Sequence, residues 1–451
     1  MRIQRSRPLA RAVVALTGTA LFATACGAGG SSGNDNEGSS GGDSAAEVEG
    51  DTTGITDTTI TIGTHQPLTG VAAPGYSEIN TGHKAYFDHV NANGGICGRQ
   101  VEYIVRDDGY NPTNTASVTN QLVLQDEIFA MLGGLGTPTH SAVLDFLNEE
   151  QVPDLFVSSG ALAWNDPETY PYTFGWQPDY TVEGKIMGKY IAENFPDAKV
   201  GLFGQGDDLG RDGFAGVKQF VEDQVVAEVT YTPGNTDVGP QIAQLQQAGA
   251  DLVVGFNVPA YTALSQLVSR RLNYSPQWMI SSVGLDANLV GALLANFSQG
   301  AVTNGAQLLE GFYTTSYIPT VDQPDDPWIQ LFQSIWDEQG DGKPLTNFRV
   351  YGMGQAYTFA VAASRVCDNL NRESIVRVIE EEGSEFEGPW LAPLDYSADA
   401  HRGISGVRIV QIENGTAASR TEIQTTDSAD GEITEYTEGA DTPPDNGVPT
   451  S

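Results

Sequence analysis

Short apolar runs and amphipathic stretches take turns along most of this chain. Residues 60–65 (ITIGTH) are rich in β-branched and apolar side chains, which predicts a buried strand. Residues 76–93 then place His83, Phe87 and Val90 among inward-spaced positions, which predicts a helix. The alternation continues with strand 101–107, helix 113–125, strand 129–132 ending at Gly133-Gly134, helix 141–148 and strand 155–158. It restarts with strand 200–203, helix 214–222, strand 229–231, helix 241–248, strand 252–256, helix 261–271 and strand 278–282. Strands alternating with helices imply parallel sheets covered on both faces, and two such series imply two similar α/β lobes. In open α/β sheets ligands bind beyond the carboxyl ends of the strands. The segments there include Gln66-Pro67-Leu68-Thr69-Gly70, Asp108-Gly109-Tyr110, Gly134-Leu135-Gly136-Thr137, Ser158-Ser159-Gly160 and Asn257-Val258-Pro259. They are rich in Gly, Thr, Ser and Asn, and suit a small polar ligand that takes hydroxyl and backbone N–H contacts.

The two ends of the chain break the pattern. Residues 1–25 carry four arginines and no acid, then an apolar run over 12–22, then small residues before Cys26. These are the parts of a secretory signal, and the apolar run is too short to span a bilayer. The cysteine after small residues resembles a bacterial lipobox, which implies cleavage before Cys26 and acylation of its thiol. Ala23 stands where that pattern usually has Leu, Val or Ile. Residues 26–54 then read as the lipidated cysteine and a flexible tether of Gly, Ser and acids. Residues 415–451, poor in apolar side chains, read as a disordered acidic tail. The expected folded part is 55–414.

Composition narrows the function. The chain has 58 acidic and 22 basic residues in 451, for a formal charge of −36. Such a surface repels phosphate, so nucleic acid is not an expected partner. Acid spread over an exported surface suits salt or solubility more than recognition of a cationic partner. The five histidines make no metal-binding spacing, and there is no G-x-S-x-G elbow or phosphate-binding P-loop. Gly204 to Gly210 (GQGDDLG) has the wrong spacing for a dinucleotide finger and places Asp207 and Asp208 toward the phosphates. No enzyme, metal or cofactor is therefore expected. Cys97 and Cys367 are left as either a bridge, which an oxidising compartment allows, or two buried thiols.

The order and spacing of several segments resemble one family. They include ITIGTHQPLTG (60–70), AYFDHVNANGGICGRQVEYIVRDDGYNP (85–112), MLGGLGTPTHSAV (131–143), VPDLFVSSGA (152–161), YPYTFGWQPDYTVEG (170–184), VGLFGQGDDLGRDG (200–213) and TDVGPQIAQLQQAGADLVV (236–254). Together the chain resembles the substrate-binding proteins of branched-chain amino acid (Leu/Ile/Val-type) ABC transporters, with the type I periplasmic binding protein fold. The resemblance implies an α/β Venus-flytrap of two lobes, joined by three crossings near 172–178, 303–316 and 384–404. The expected lobes are 55–175 with 313–384, and 176–312 with 385–414. That arrangement puts Cys97 and Cys367 in one lobe and so favours their bridge. The implied partners are a small solute, a permease and ATPase subunits. The implied location is the outer face of the bacterial cell membrane, held by the lipid anchor, with the protein a monomer.

The resemblance also implies site residues. The hydroxyl after the third strand falls on Thr137, beside Gly136, and the loop after the fourth on Ser158, Ser159, Gly160 and Ala161. Thr137 and Ser159 could instead cap helices. Leu209 stands where an aromatic is usual, and a second-lobe contact region falls on Asn257 and Tyr261. Tyr110, Tyr180 and Tyr261 are candidate ring contacts or packing aromatics. The acid that pairs a ligand ammonium would fall near Val283 or Gly284, where no carboxylate stands; Asp286 or Asp208 could supply the charge. Otherwise the ligand has no ammonium, and aromatic acids or amides are the alternative to amino acids. A ligand-sensing module acting with a membrane signalling partner is the alternative role.

Overall fold

The apolar runs fold into the strands of two sheets. In the computed structural model, residues 50–449 are described; the export segment, Cys26 and the tether up to residue 49 lie outside them, as do residues 450–451. The first lobe begins with β1 (Thr59–Gln66), α1 (Ala73–Tyr76), α2 (Ile79–Ala92), β2 (Gln100–Asp107), α3 (Pro112–Leu124) and β3 (Ala130–Leu132). It continues with α4 (Thr137–Ser141), α5 (Leu144–Glu149), β4 (Asp154–Val157) and β5 (Thr173–Gly175). The second lobe holds α6 (Tyr180–Asn194), β6 (Val200–Gln205), α7 (Asp208–Val221), β7 (Val225–Tyr231), α8 (Gly239–Ala248) and β8 (Leu252–Phe256). It goes on through α9 (Pro259–Arg271), β9 (Gln277–Ile280), α10 (Ala287–Phe297) and β10 (Tyr313–Ser316). The chain then returns to the first lobe for α11 (Pro327–Gln339), α12 (Asn347–Ser364) and α13 (Arg372–Glu382). Last come β11 (Leu394–Ser397), β12 (Ala400–Ile404), β13 (Gly406–Glu413), β14 (Thr416–Ser419), β15 (Ile423–Thr425) and β16 (Thr434–Tyr436).

The first sheet is parallel throughout, in the order β2-β1-β3-β4-β5. The second runs β16-β15-β13-β10-β9-β8-β6-β7, with β14 also paired to β13. Its strands β7, β6, β8, β9 and β10 are parallel, and β13 adds antiparallel to β10. Every residue of β6 (VGLFGQ) and β8 (LVVGF) is buried, as helices on both faces require. Asn111, Asp179, Asp207 and Asp326 accept backbone N–H bonds at the starts of α3, α6, α7 and α11. Each such cap is worth about 1 kcal/mol. The Cys97–Cys367 disulfide joins the segment after α2 to the segment after α12, with Cα atoms 5.1 Å apart, so both cysteines do share the first lobe.

The structure corrects several boundaries. The helix expected over 76–93 starts later, at Ile79, and Tyr76 instead ends the short α1, in which Pro74 and Gly75 are non-helical. The helix expected over 141–148 is instead two short helices, α4 and α5, because Ala142 and Val143 depart from helical pairing. Residues 313–316 belong to the second lobe, since β10 pairs with β9 and β13 there; the crossing comes after them. Residues 394–404 lie with the first lobe rather than the second. The Tyr396 hydroxyl donates to the Gly175 carbonyl at 2.6 Å, and His401 stacks on Phe174 with centroids 3.8 Å apart.

The tail is the largest correction. Residues 416–436 supply three strands to the edge of the second sheet, where backbone pairing needs little apolar area. Ile423 is buried, and the β-branched Thr421, Thr425 and Thr426 near it suit extended backbone. Beyond them the tail reaches the first lobe. The Tyr86 hydroxyl donates to the Gly447 carbonyl at 2.9 Å, and the Trp328 indole donates to the Asp441 carbonyl.

Candidate functional site

A cavity of about 160 Å³ lies between the two lobes. The first-lobe wall is built by the carboxyl ends of β2, β3 and β4. Thr137 is the first residue of α4, not its cap, so its hydroxyl is free to serve the cavity. That oxygen lies 2.8 Å from the Ser159 hydroxyl and 3.5 Å from the Tyr180 hydroxyl. Burial pushes the Tyr180 phenol up to about 12. Gly136 has φ 102°, and a Cβ there would sit 2.5 Å from the Tyr110 ring, so the turn that presents Thr137 excludes any side chain.

Tyr110 reaches the other lobe. It adopts φ 58°, and its own N–H donates to the Asp108 carboxylate at 2.8 Å. Its hydroxyl accepts from Gln205 Nε2, on β6, at 3.2 Å. Three further bonds cross the cleft. The Tyr76 hydroxyl donates to the Val283 carbonyl (2.9 Å), Leu162 N–H to Asp212 (3.0 Å) and Asn347 Nδ2 to Asp286 (2.8 Å). The lobes are therefore held together in this conformation.

Behind the first-lobe wall runs a buried polar chain. Asp108 Oδ2 meets His65 Nδ1 at 2.9 Å, His65 Nε2 meets His140 Nδ1 at 2.9 Å, and His140 Nε2 meets Asp154 Oδ2 at 2.7 Å. All four side chains are fully buried. Burial holds His65 below its ordinary range. The chain links the base of Tyr110 to the helix that carries Thr137. A second network supports Ser158. Gln355 Nε2 donates to the Phe156 carbonyl (2.7 Å) and to the Ser158 hydroxyl (3.0 Å), while its Oε1 meets His83 Nε2 at 2.9 Å. Burial pushes His83 down to about 4.

The second-lobe wall comes from Leu209, Val258, the loop after β9 and one face of the β10–β13–β14 ladder. Thr314 pairs with Val410 and Ile412 with Ala417, so these four share that face, and all line the cavity. Buried Glu183 ties this wall together by accepting from Ser282 N–H at 2.6 Å and from the Thr315 hydroxyl. Burial raises its carboxyl above the usual range. Asp286 caps α10 through Leu289 N–H (2.8 Å). At the cavity mouth, desolvation and then the neighbouring Asp286 carboxylate hold Asp322 above its ordinary range. Among the described residues no group of three His, Cys, Asp or Glu is placed to hold a metal, and no helix is long and apolar enough to cross a membrane.

Of the sequence-derived site residues, Gly136, Thr137, Ser158, Tyr110, Tyr180, Leu209 and Asp286 are brought together on the cavity wall. Ser159 stands just behind, bonded to Thr137. Gly160 and Ala161 are off the wall; the Gly160 carbonyl accepts Tyr180 N–H at 2.7 Å. Asp208 is turned away and pairs with Arg211 at 2.7 Å. Asn257 is fully buried and bonds Thr262, and Tyr261 stacks on Tyr231 with centroids 3.7 Å apart. Asp208, Asn257 and Tyr261 are off the cavity wall because an ion pair, a buried hydrogen bond and ring stacking engage them. Sequence reasoning missed Tyr76, Gln177, Tyr317, Phe348 and Tyr351, which line the hinge side. The only signal was the W-Q-P-D-Y segment, which contains Gln177.

The chain matches the family described as periplasmic binding protein over residues 59–417. It is 29% identical over 221 residues to a Leu/Ile/Val-binding protein homolog of Brucella melitensis, covering 48% of this chain and 58% of that protein. It is 26% identical over 202 residues to a leucine-, isoleucine-, valine-, threonine- and alanine-binding protein of Pseudomonas aeruginosa, covering 43% and 52%. The chain thus spans just over half the length of these two relatives. A branched-chain amino acid ABC transporter structure from Thermus thermophilus, with bound valine, superposes with TM-score 0.70 at 21% identity over 83% of this chain and 98% of that one. A fatty acid ABC transporter substrate-binding protein from Thermomonospora curvata superposes with TM-score 0.72 at 22% identity, covering 84% and 95%. At these identities the two structures share the fold.

Proposed function

Because the chain belongs to the periplasmic binding protein family, we propose that it is the extracytoplasmic substrate-binding lipoprotein of an ABC importer. It captures a small organic solute between its lobes and delivers it to a membrane permease, with no turnover. The observation that carries this reading is the interlobe cavity, where Thr137, Ser158 and Tyr180 face Leu209 and the β10–β13–β14 ladder. A concave, largely apolar cleft with a few convergent hydroxyls is what a solute site requires. The four bonds across the cleft are those that closure would make and opening would break. Ligand then favours the closed form only by its differential affinity for it.

A thermal-shift and calorimetry screen of amino acids, aromatic acids, amides, fatty acids and amines tests the reading. Binding that holds the native state raises the melting temperature in proportion to RT ln(1 + [L]/Kd). Saturable binding of one solute class, weakened by Thr137→Ala, supports it. Release of a chemically altered product would overturn it.

A further inference from the structure

The cavity wall carries its charge with one sign. No Lys, Arg or His is among the described residues that line it, while Asp286 and Asp322 both do. Neither carboxylate has a basic ion-pair partner among the described residues. Arg408, on the β13 strand of the same ladder, is outside the lining. Its Nη1 lies 3.4 Å from the Ser419 hydroxyl, and Glu422 and Asp326 are its acidic neighbours. Arg349, beside Phe348 in sequence, lies over the Trp336 ring instead.

Aromatic rings make up much of the remaining wall, with Tyr76, Tyr317, Phe348 and Tyr351 on the hinge side. Ring faces attract a desolvated cation by about 0.5–2 kcal/mol each. A polar atom also waits there. Thr314 is 4% exposed and lines the cavity, and its hydroxyl has no hydrogen-bond partner among the described residues. A buried hydroxyl left unsatisfied is costly, so a ligand group that bonds it would be favoured.

We propose that the solute is an organic cation, a protonated amine or quaternary ammonium on a small apolar body. Its charge sits among the hinge-side rings facing Asp286 and Asp322. Its body lies along Val410, Ile412 and Ala417, and the Thr314 hydroxyl meets its polar group. This inference rests on the solute-capture reading and names the class of solute. A carboxylate ligand would find no cationic side chain on the wall. A simple α-amino acid could set its ammonium against the same two acids, but its carboxylate would meet that same lack of a cation.

Calorimetry on the full chain with choline, putrescine, L-valine and octanoate tests it. Choline or putrescine is expected to bind at least tenfold more tightly than the other two. That affinity should fall at least tenfold in Asp286→Asn/Asp322→Asn, and should weaken between low salt and 0.5 M salt. Asn also caps helices well, so α10 should survive in the variant, and an unchanged circular dichroism melt checks this. Silence of both cations, or cation binding unmoved by the double substitution, overturns the inference. If L-valine or octanoate binds instead, with Thr137→Ala weakening it, solute capture stands and only the cation assignment falls. If a broad solute panel is silent as well, both fall.

Discussion

Lys185 Nζ lies 2.7 Å from the carbonyl oxygen of Ala429, although the two residues are 244 positions apart. The same amine also meets the Asp427 carbonyl at 2.8 Å and the Thr426 hydroxyl at 3.0 Å. Its side chain is only 2% exposed. The turn over 426–431 thus wraps a buried cation on α6, and Ser428 bonds Asp179, the cap of that helix, at 2.8 Å. Removing residues 427–449 strands this charge. Breaking a buried pair from one side costs about 3–5 kcal/mol. Urea melts of the truncated chain should show a loss of that order, and Lys185→Met in the truncated background should recover part of it. Equal stability with and without the tail would refute the wrapping role.

The Cys97–Cys367 bridge closes a loop with a sequence separation of 270. In the chain-entropy view a loop this long is worth about 5 kcal/mol. Cys97→Ser/Cys367→Ser, and the reduced native chain, should both melt at lower denaturant than the oxidised protein. The solute affinity of the surviving folded fraction should stay within about threefold, since both cysteines are remote from the cavity wall.

Thr137→Ala removes the hydroxyl that Ser159 and Tyr180 surround. One hydrogen bond to ligand is worth about 1–1.5 kcal/mol, so calorimetry should read a roughly tenfold weaker Kd. Gly136→Ala should cost more, because the new Cβ meets the Tyr110 ring in a backbone region that side chains avoid. A Gly136→Ala variant that binds as tightly as the parent would show that this turn does not shape the site.

Stability should fall on mild acidification. His83 is buried and held at about 4, against an ordinary 6.5. Between those values the unfolded chain binds the proton and the folded chain does not. The contribution is therefore complete above about pH 6.5 and is lost as pH falls toward 4. The full shift corresponds to about 3 kcal/mol. Phe in place of His83 would take away the bonds that its ring makes to the Tyr103 hydroxyl and to Gln355 Oε1, so His83→Gln is the better control. Its stability should depend less on pH between 6.5 and 4 than that of the parent.

Cys26→Ser should release the protein from the membrane fraction into the soluble exported pool, if the cysteine carries the acyl chains. Retention in washed membranes would point to another anchor.

The second sheet was legible because β8 and all of β6 but its last residue, Gln205, lack polar side chains, as strands covered on both faces require. Thr137 and Ser158 were legible through the family resemblance, since they follow recognisable strands at a definite offset. The hinge-side wall was not. Tyr317, just past β10, and Phe348 and Tyr351, in the first turns of α12, reach the cavity only through how the lobes meet, which no local pattern encodes. Asn257 and Asp208 misled for a related reason. A polar residue at a strand end can serve a ligand or the fold, and here Asn257 braces Thr262 while Asp208 pairs along its own helix. The tail deceived through composition, because strands added at a sheet edge draw on backbone hydrogen bonds more than on apolar area.

The tail holds both lobes: β16 pairs in the second sheet, and the first tie to the other lobe is the Asp441 carbonyl on Trp328, followed by Gly447 on Tyr86. Between Tyr436 and Asp441 the chain can stretch only about 17 Å. While both holds persist, the segment works as a leash that caps how wide the jaws can gape along that edge. A leash of that length narrows the range of open geometries, so less of the binding energy goes into gathering scattered conformations before the jaws shut.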